Sequence, residues 1–518
     1  MTHGGKTGDS APALIDRSRR LDYGQLTELM RAAANGFIAA GMRKGDRIGI
    51  YLPKQIETVV SIFATAHAGG VFVPVNPLLK PAQVQHILTD CDVRILVTSR
   101  QRAQSLETVI ADCPALEAIV LVDELQELSS SKQVISWDDL LAAPSVDMWR
   151  IIDADVASIL YTSGSTGKPK GVVLSHKNMV TGAFSVSEYL ENTASDKLLA
   201  VLPFSFDYGF SQLTTAFCRG ASVVLMEYLL PRDVIRKVCQ EEITGLAGVP
   251  PLWNQLAGLP WPETATDHLR YWTNSGGAMP QVTLESLRTA LPKTDPVLMY
   301  GLTEAFRSTW LPPAELDKRH GSMGKAIPNA EIMVVNDDGG ICAPDEIGEL
   351  VHRGSLVSLG YWNNPEKTAA RFKPAPHHQK ELVMEEIAVW SGDRVRCDED
   401  GYLYFVGRRD EMIKTSGYRV SPNEVEEALF ATGMVSEAVA LGTADKDLGE
   451  AIVAIVVATH DSEQDTAALS LACRQELANF MLPKHIIWVA DMPRNANGKI
   501  DRAGLAQELP ALLKGLQQ

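Results

Sequence analysis

The stretch Tyr161–His176, YTSGSTGKPKGVVLSH, sets small hydroxylated residues, three glycines and two lysines between two apolar runs. Glycines let backbone N–H groups approach an anion closely, hydroxyls add donors and lysines add charge, a combination suited to phosphate. The spacing excludes two common phosphate loops. Counted from Gly164, a Walker A motif requires glycine at position 169, which is Pro169, and the dinucleotide pattern G-x-G-x-x-G is not matched. A surface turn of the same composition is the alternative. The length and order of the stretch favour an anion-binding loop.

Such a loop must be held by regular elements. Leu21–Met42 carries apolar residues at helical spacing and stops at Gly41, and DRIGIYL then reads as a buried strand. IETVVSIFATAHAGGVFVPVN repeats the plan as helix, double glycine and strand. VRILVTS, LEAIVLVD and ASVVLME are further β-branched runs between helical stretches. This alternation predicts an α/β fold with parallel sheets and helices on their faces. Near residue 330 the character changes. AEIMVVNDDGGICAPDEIGELVHRG reads as two strands around a turn, and GYLYFVG nearly alternates, so a β-rich subdomain is expected. The last hundred residues, with SPNEVEEALFAT, AIVAIVVATH and ACRQELANFML, read as a small α+β domain joined after VGRRDEM. The polar patch ELQELSSSKQ reads as an exposed loop.

At 518 residues, with 45% hydrophobic and 22% charged residues, the chain requires more than one core. A formal charge of −16 without a Lys/Arg cluster argues against a nucleic-acid partner. Seven scattered cysteines without C-x-x-C spacing suit reduced thiols. No stretch nears the roughly 18 apolar residues of a membrane span, and the N-terminus lacks an apolar signal core. A cytoplasmic enzyme without membrane attachment is the expectation.

Further motifs follow the glycine-rich stretch in order: SGGAM (Ser275–Met279), YGLTE (Tyr300–Glu304), SGDRVRCDEDGYLYFVGRRDEMIKTSGYRVSPNEVE and PRNANGKIDR. Together they resemble the adenylate-forming superfamily of acyl-CoA synthetases, peptide-synthetase adenylation domains and beetle luciferases, over nearly the whole chain. The resemblance implies a large AMP-binding domain over residues 1–408 and a mobile C-terminal domain over 409–518. It implies ATP and Mg²⁺ as cofactors and a thiol acceptor, either phosphopantetheine on a carrier protein or CoA. A carboxylate would attack the α-phosphate of ATP, so two anions must meet, and positive charge, aligned donors and positioning lower the barrier.

By the same resemblance Thr162, Ser163, Ser165, Thr166 and Lys170 would cradle the β- and γ-phosphates, with Gly164 and Gly167 letting the loop close. Thr303 would contact the α-phosphate, and Glu304 would hold Mg²⁺, a hard cation suited to carboxylate and phosphate oxygens. Tyr300 would stack on adenine, while Gly276, Gly277, Ala278 and Gly301 allow close backbone approach. Asp393 would accept hydrogen bonds from the ribose diol, assisted by Arg408. Lys499 would bridge the substrate carboxylate and a phosphate oxygen. Asp410 matches the hinge about which the small domain rotates, and Gly417 and Tyr418 would face the pantetheine tunnel.

LPFSFDYGFSQL departs from the acyl-CoA synthetase pattern, which often carries a histidine here. Phe206-Asp207 is similar to the motif with which amino-acid adenylation domains meet the substrate ammonium. A carboxylate in an apolar pocket needs a cationic partner, and a helix N-cap is the alternative role. Tyr208, Ser211 and Trp253 are the further candidates for the acid pocket. Three readings stand: a ligase charging a separate carrier protein with an amino acid, an acyl-CoA ligase for a small acid, and a luciferase-like oxygenase or non-catalytic binder. Intact Lys170, Glu304 and Lys499 argue against the last.

Overall fold

The structure is a computed structural model that describes residues 8–123, 131–162, 169–277, 279, 281–376, 381–408, 412–459, 464–493, 500 and 502–515. The residues of the patch ELQELSSSKQ lie largely outside them. Three sheets carry the fold. The first has seven strands in the order Gln133–Ser136, Ala118–Leu121, Val93–Thr98, Arg47–Tyr51, Val71–Pro74, Val156–Thr162 and Lys170–Ser175. All pairings are parallel except the last, in which Thr162 stands opposite Lys170 in an antiparallel hairpin. The two strands that flank the glycine-rich stretch are therefore fixed in register.

The second sheet begins parallel, through Ser222–Leu225, Lys197–Ala200, Gly245–Gly248, Tyr271–Asn274 and Asp295–Tyr300. It turns antiparallel through Thr309–Leu311 and Ser322–Ala326 and runs into Leu403–Arg408, Ile387–Cys397, Gly348–Gly354 and Ala330–Val335. The parallel strands and the β-rich part expected from sequence are thus one continuous sheet. Ser222–Leu225, Gly245–Gly248 and Tyr271–Asn274 are buried along their whole length, as strands covered on both faces are.

Local chemistry sets the helices. Tyr23–Ala39 opens on a capping box, with the Asp22 carboxylate accepting from the Gln25 amide and the Gln25 side chain accepting from the Asp22 amide. Asp207–Arg219 has buried side chains on every face and ends on Gly220 in the left-handed conformation. Its first turn packs against the chain at 202–203, where a Cβ on Gly209 would lie 2.1 Å from the Pro203 carbonyl oxygen. The helix can start there only with glycine.

The third sheet runs Tyr418–Val420, Ile413–Thr415, Gly449–Ala458 and Val435–Asp445, with His485–Trp488 parallel to Gly449–Ala458. It has its own apolar core around Val425, Leu429, Ile452 and Leu469. The small α+β unit docks on the large one through polar contacts. Gln83 Nε2 donates to Glu424 Oε1 at 3.1 Å and to Met481 Sδ at 3.3 Å, and Asn254 Nδ2 donates to the Lys446 carbonyl at 2.5 Å. No helix among the described residues is long and apolar enough to cross a membrane. All seven cysteines are free.

Candidate active site

A cavity of about 1050 Å³ opens where the hairpin ends, the strand Asp295–Tyr300 and the small unit meet. Its lining includes Tyr161, Thr162, Asp207, Gly276, Gly277, Tyr300, Gly301, Thr303, Arg307, Gly417 and Tyr418. Residues from all the described motifs thus converge on one space.

Glu304 sits in a short 3₁₀ turn, Thr303–Ala305, and is 6% exposed. Tyr361 donates its hydroxyl to Glu304 Oε1 at 2.6 Å, and Lys170 Nζ contacts the same oxygen at 3.2 Å and the Tyr361 hydroxyl at 2.7 Å. The Lys170 ammonium also lies 4.0 Å from the Tyr361 ring centroid. Burial alone would push the Glu304 carboxyl up, but Lys170, Arg419 and the Tyr361 hydroxyl together hold it far below the usual carboxylate range. Arg371 and Arg419 add positive charge around Lys170. Of these groups only Arg419 lines the cavity; Lys170, Tyr361 and Glu304 form a cluster behind its lining. The Thr162 hydroxyl, at the hairpin end, is buried without a hydrogen-bond partner among the described residues, which suits an incoming phosphate oxygen.

The donor set also fits Mg²⁺ of the kind that arrives with a nucleotide. Among the described residues no group of three or more His, Cys, Asp or Glu could hold a metal. A single ionised, buried carboxylate next to the cavity-lining Thr303 is the kind of ligand that Mg²⁺ shared with phosphates takes. Glu304 would hold it.

Past Glu304 the backbone makes a sharp reversal. Phe306 has φ +59° and ψ −64°, and the Arg307 amide donates to the Ala305 carbonyl at 2.7 Å, so Phe306 is the centre of a γ-turn with positive φ. A bulky residue there is strained. The fully buried Phe306 ring packs against Gly182 of helix His176–Tyr189, anchoring the turn. The turn lets Thr303 and Arg307, four residues apart, both line the cavity.

Asp207 is 4% exposed, and Thr303 Oγ1 donates to its Oδ1 at 3.3 Å. The helix cap is Phe206, and Asp207 makes no capping hydrogen bond, so the N-cap alternative is set aside. Burial pushes the Asp207 carboxyl up, while Arg307, Thr303 and Arg419 draw it back. Tyr300 donates its hydroxyl to Asp393 Oδ2, and Asp393 is fully buried within the strand Ile387–Cys397. Arg408 stands opposite Asp393 in the strand register. Asn274 Nδ2 donates to the Gly277 carbonyl at 3.0 Å and fixes the Ser275–Gly277 loop. Gly417, at φ +81°, brings its carbonyl within 3.7 Å of a Cβ built on Gly276, and a Cβ of its own would meet Val249 at 2.9 Å. Tyr418 stacks on Phe480 at 3.8 Å between ring centroids.

Three expected pocket residues stand elsewhere. Tyr208, Ser211 and Trp253 are buried behind the wall rather than lining it. Tyr208 bonds the Thr273 hydroxyl at 2.5 Å, Trp253 Nε1 donates to the Thr273 carbonyl, and Ser211 pairs with Thr215. They face the packed side of the Asp207–Arg219 helix and its neighbours, so they shape the wall without touching its contents. Ser163, Gly164, Ser165, Thr166, Gly167, Ala278, Asp410 and Lys499 lie outside the described residues. Sequence reasoning missed Tyr361, Arg371, Arg307 and Arg419. Arg307 and Arg419 stand beside or within quoted motifs, and their charge was the available signal.

Comparison with known proteins places this geometry. Residues 2–362 match the AMP-binding enzyme family and residues 424–499 its C-terminal domain. A linear gramicidin synthase polypeptide of Brevibacillus parabrevis is 28% identical over 96% of this chain, which spans only 9% of that protein. A long-chain-fatty-acid–CoA ligase of Bacillus subtilis is 27% identical over 96% of this chain and 93% of its own length. Among solved structures, o-succinylbenzoate CoA synthetase from Bacillus subtilis, a double mutant bound to its product analogue, superposes with a TM-score of 0.82 at 27% identity, covering 96% of this chain and 95% of that one. Amide bond synthetase McbA from Marinactinospora thermotolerans shares the fold, with a TM-score of 0.85 at 22% identity and 98% of each chain covered. The chain belongs to the AMP-binding enzyme family, within the adenylate-forming superfamily of AMP-forming acid–thiol ligases.

Proposed function

We propose that the chain adenylates a small carboxylic acid, an amino acid, and transfers it to the phosphopantetheine thiol of a separate carrier protein in the cytoplasm. In the first step a carboxylate oxygen attacks the α-phosphorus of ATP and pyrophosphate leaves with the electron pair of the broken P–O bond. In the second the thiol sulfur attacks the acyl carbon, the thiol gives up its proton and AMP leaves. Lys170, Arg371 and Arg419 offset the negative charge that gathers around the phosphates. Mg²⁺ held at Glu304 would neutralise phosphate oxygens as the leaving group departs. Thr303 would contact the α-phosphate and Lys499 would bridge the two anions, as the family resemblance implies.

The observation that carries the amino-acid reading is Asp207. It is a buried carboxylate on the cavity wall, it caps no helix, and burial has raised its proton affinity. Arg307 acts on it without forming an ion pair within 4 Å, and a substrate ammonium would supply that contact. The test is pyrophosphate exchange with magnesium-ATP across amino acids and plain acids. Exchange with an amino acid, lost in Asp207→Ala and in Lys499→Ala, is expected. Full exchange by Asp207→Ala with the same amino acid would remove the ammonium role, and no exchange with any acid would remove the proposal. The names of the CoA ligases among the relatives support a second reading for the acceptor, free CoA. Product analysis with CoA and with carrier proteins separates the two.

A further inference from the structure

Arg307 is 2% exposed and lines the cavity. Its Nη1 donates to Ser275 Oγ at 3.1 Å, and its guanidinium lies 4.7 Å from the centroid of the Tyr208 ring. The other two nitrogens, Nε and Nη2, are buried without a hydrogen-bond partner among the described residues. Asp207 feels its charge, yet no ion pair within 4 Å joins Arg307 to any carboxylate among the described residues. Tyr189, beside it, donates its hydroxyl to Met299 Sδ, and its oxygen faces the guanidinium as a neutral acceptor that brings no negative charge. A buried guanidinium with an open side is costly unless an anion completes it. Nε and Nη2 form the side-on edge with which arginine grips both oxygens of a carboxylate.

Arg307 takes no part in the Lys170–Tyr361–Glu304 cluster assigned above to the phosphates. Its surroundings are Ser275, Tyr208 and Asp207, on the acid side of Thr303. We infer that Arg307 is a specificity-determining residue of the acid pocket, and that the preferred substrate carries a second carboxylate gripped by the Nε–Nη2 edge. This rests on the adenylation reading above and names the substrate class within it. Together with Asp207, the pocket then offers one site for an ammonium and one for a distal carboxylate, the pattern of an acidic amino acid.

Pyrophosphate exchange separates the two features. The panel is aspartate and glutamate, their amides asparagine and glutamine, the plain diacids succinate and glutarate, and the monoacids butyrate and pentanoate. The wild-type enzyme is expected to favour each compound with the second carboxylate over its partner without it by about 100-fold or more in kcat/KM. Arg307→Met should collapse that ratio towards one, and Arg307→Lys should retain part of it. Thermal melting with and without magnesium-ATP verifies that each variant folds and binds nucleotide. If Arg307→Met does not fold, the wild-type ratios together with Arg307→Lys decide the matter. Exchange that is equal for acids with and without the second carboxylate, or a ratio unchanged in a folded Arg307→Met, would overturn the inference while leaving adenylation standing. Exchange with no acid at all would overturn both.

Discussion

The Tyr361 hydroxyl is shared by the two charged groups that matter most for phosphate chemistry. It donates to Glu304 Oε1 at 2.6 Å and accepts from Lys170 Nζ at 2.7 Å, while the ring itself lies beneath the ammonium. Phenylalanine at this position keeps the ring and its packing against Phe372 and deletes only the bridge. A hydrogen bond to a charged group is worth roughly 1.5–3 kcal/mol, so Tyr361→Phe should lower kcat/KM for pyrophosphate exchange by about 10- to 100-fold. The melting temperature should move by a few degrees at most. Unchanged exchange would reduce Tyr361 to a packing residue. Tyr361 stands 191 residues from Lys170 in the chain, which is why the sequence did not disclose it. Lys170 and Glu304 were legible because each is embedded in a motif whose chemistry is local, whereas Tyr361 reaches them only through tertiary packing.

At the scale of elements, the site depends on one strained reversal and the glycine that admits it. A Cβ on Gly182 would lie 2.5 Å and 2.7 Å from two atoms of the Phe306 ring, and that ring holds the γ-turn between Glu304 and Arg307. Gly182→Ala must displace either the helix His176–Tyr189 or the turn. Overpacking of this kind costs about 1–3 kcal/mol, and because the turn aims Thr303 and Arg307, the loss of pyrophosphate exchange should exceed what the stability change explains. Urea unfolding and exchange rates measured on the same preparation test this. Gly258→Ala serves as the control, since a Cβ there meets nothing closer than 4.0 Å, and it should leave both within error. The helices and strands of the large unit were legible from periodicity, as the apolar spacing over Leu21–Met42 and the run Val93–Thr98 illustrate, whereas the Asp22–Gln25 capping box was not read from the sequence. The γ-turn was not, because nothing in AFRS marks a positive φ at phenylalanine. Tyr208 was assigned to the pocket beside Asp207, but on a helix buried all round, neighbours along the chain point in different directions.

For the whole molecule, the way the two units dock carries a pH dependence. Glu424, on helix Pro422–Ala431 of the small unit, is 9% exposed; its Oε1 accepts from Gln83 of the large unit, and its Oε2 is buried without a partner among the described residues. Burial pushes its carboxyl up to about 7 from an ordinary 4.5, opposed by the Gln83 hydrogen bond and assisted by Glu427. The docked form therefore keeps a proton that the undocked or unfolded chain releases. Stability from this group is fully present below pH 4.5, declines as pH rises towards 7, and is level beyond, a total of about 3 kcal/mol. Glutamine in its place retains the acceptor for Gln83 and cannot ionise. Thermal melting from pH 5 to 8 should show the wild type losing ground steadily against Glu424→Gln up to about pH 7 and holding a constant deficit above it. The small unit would then undock more readily on the alkaline side. Parallel curves for the two proteins across the whole range would mean that Glu424 is not buried against Gln83 in solution, and that the docking seen here is not the form that melts.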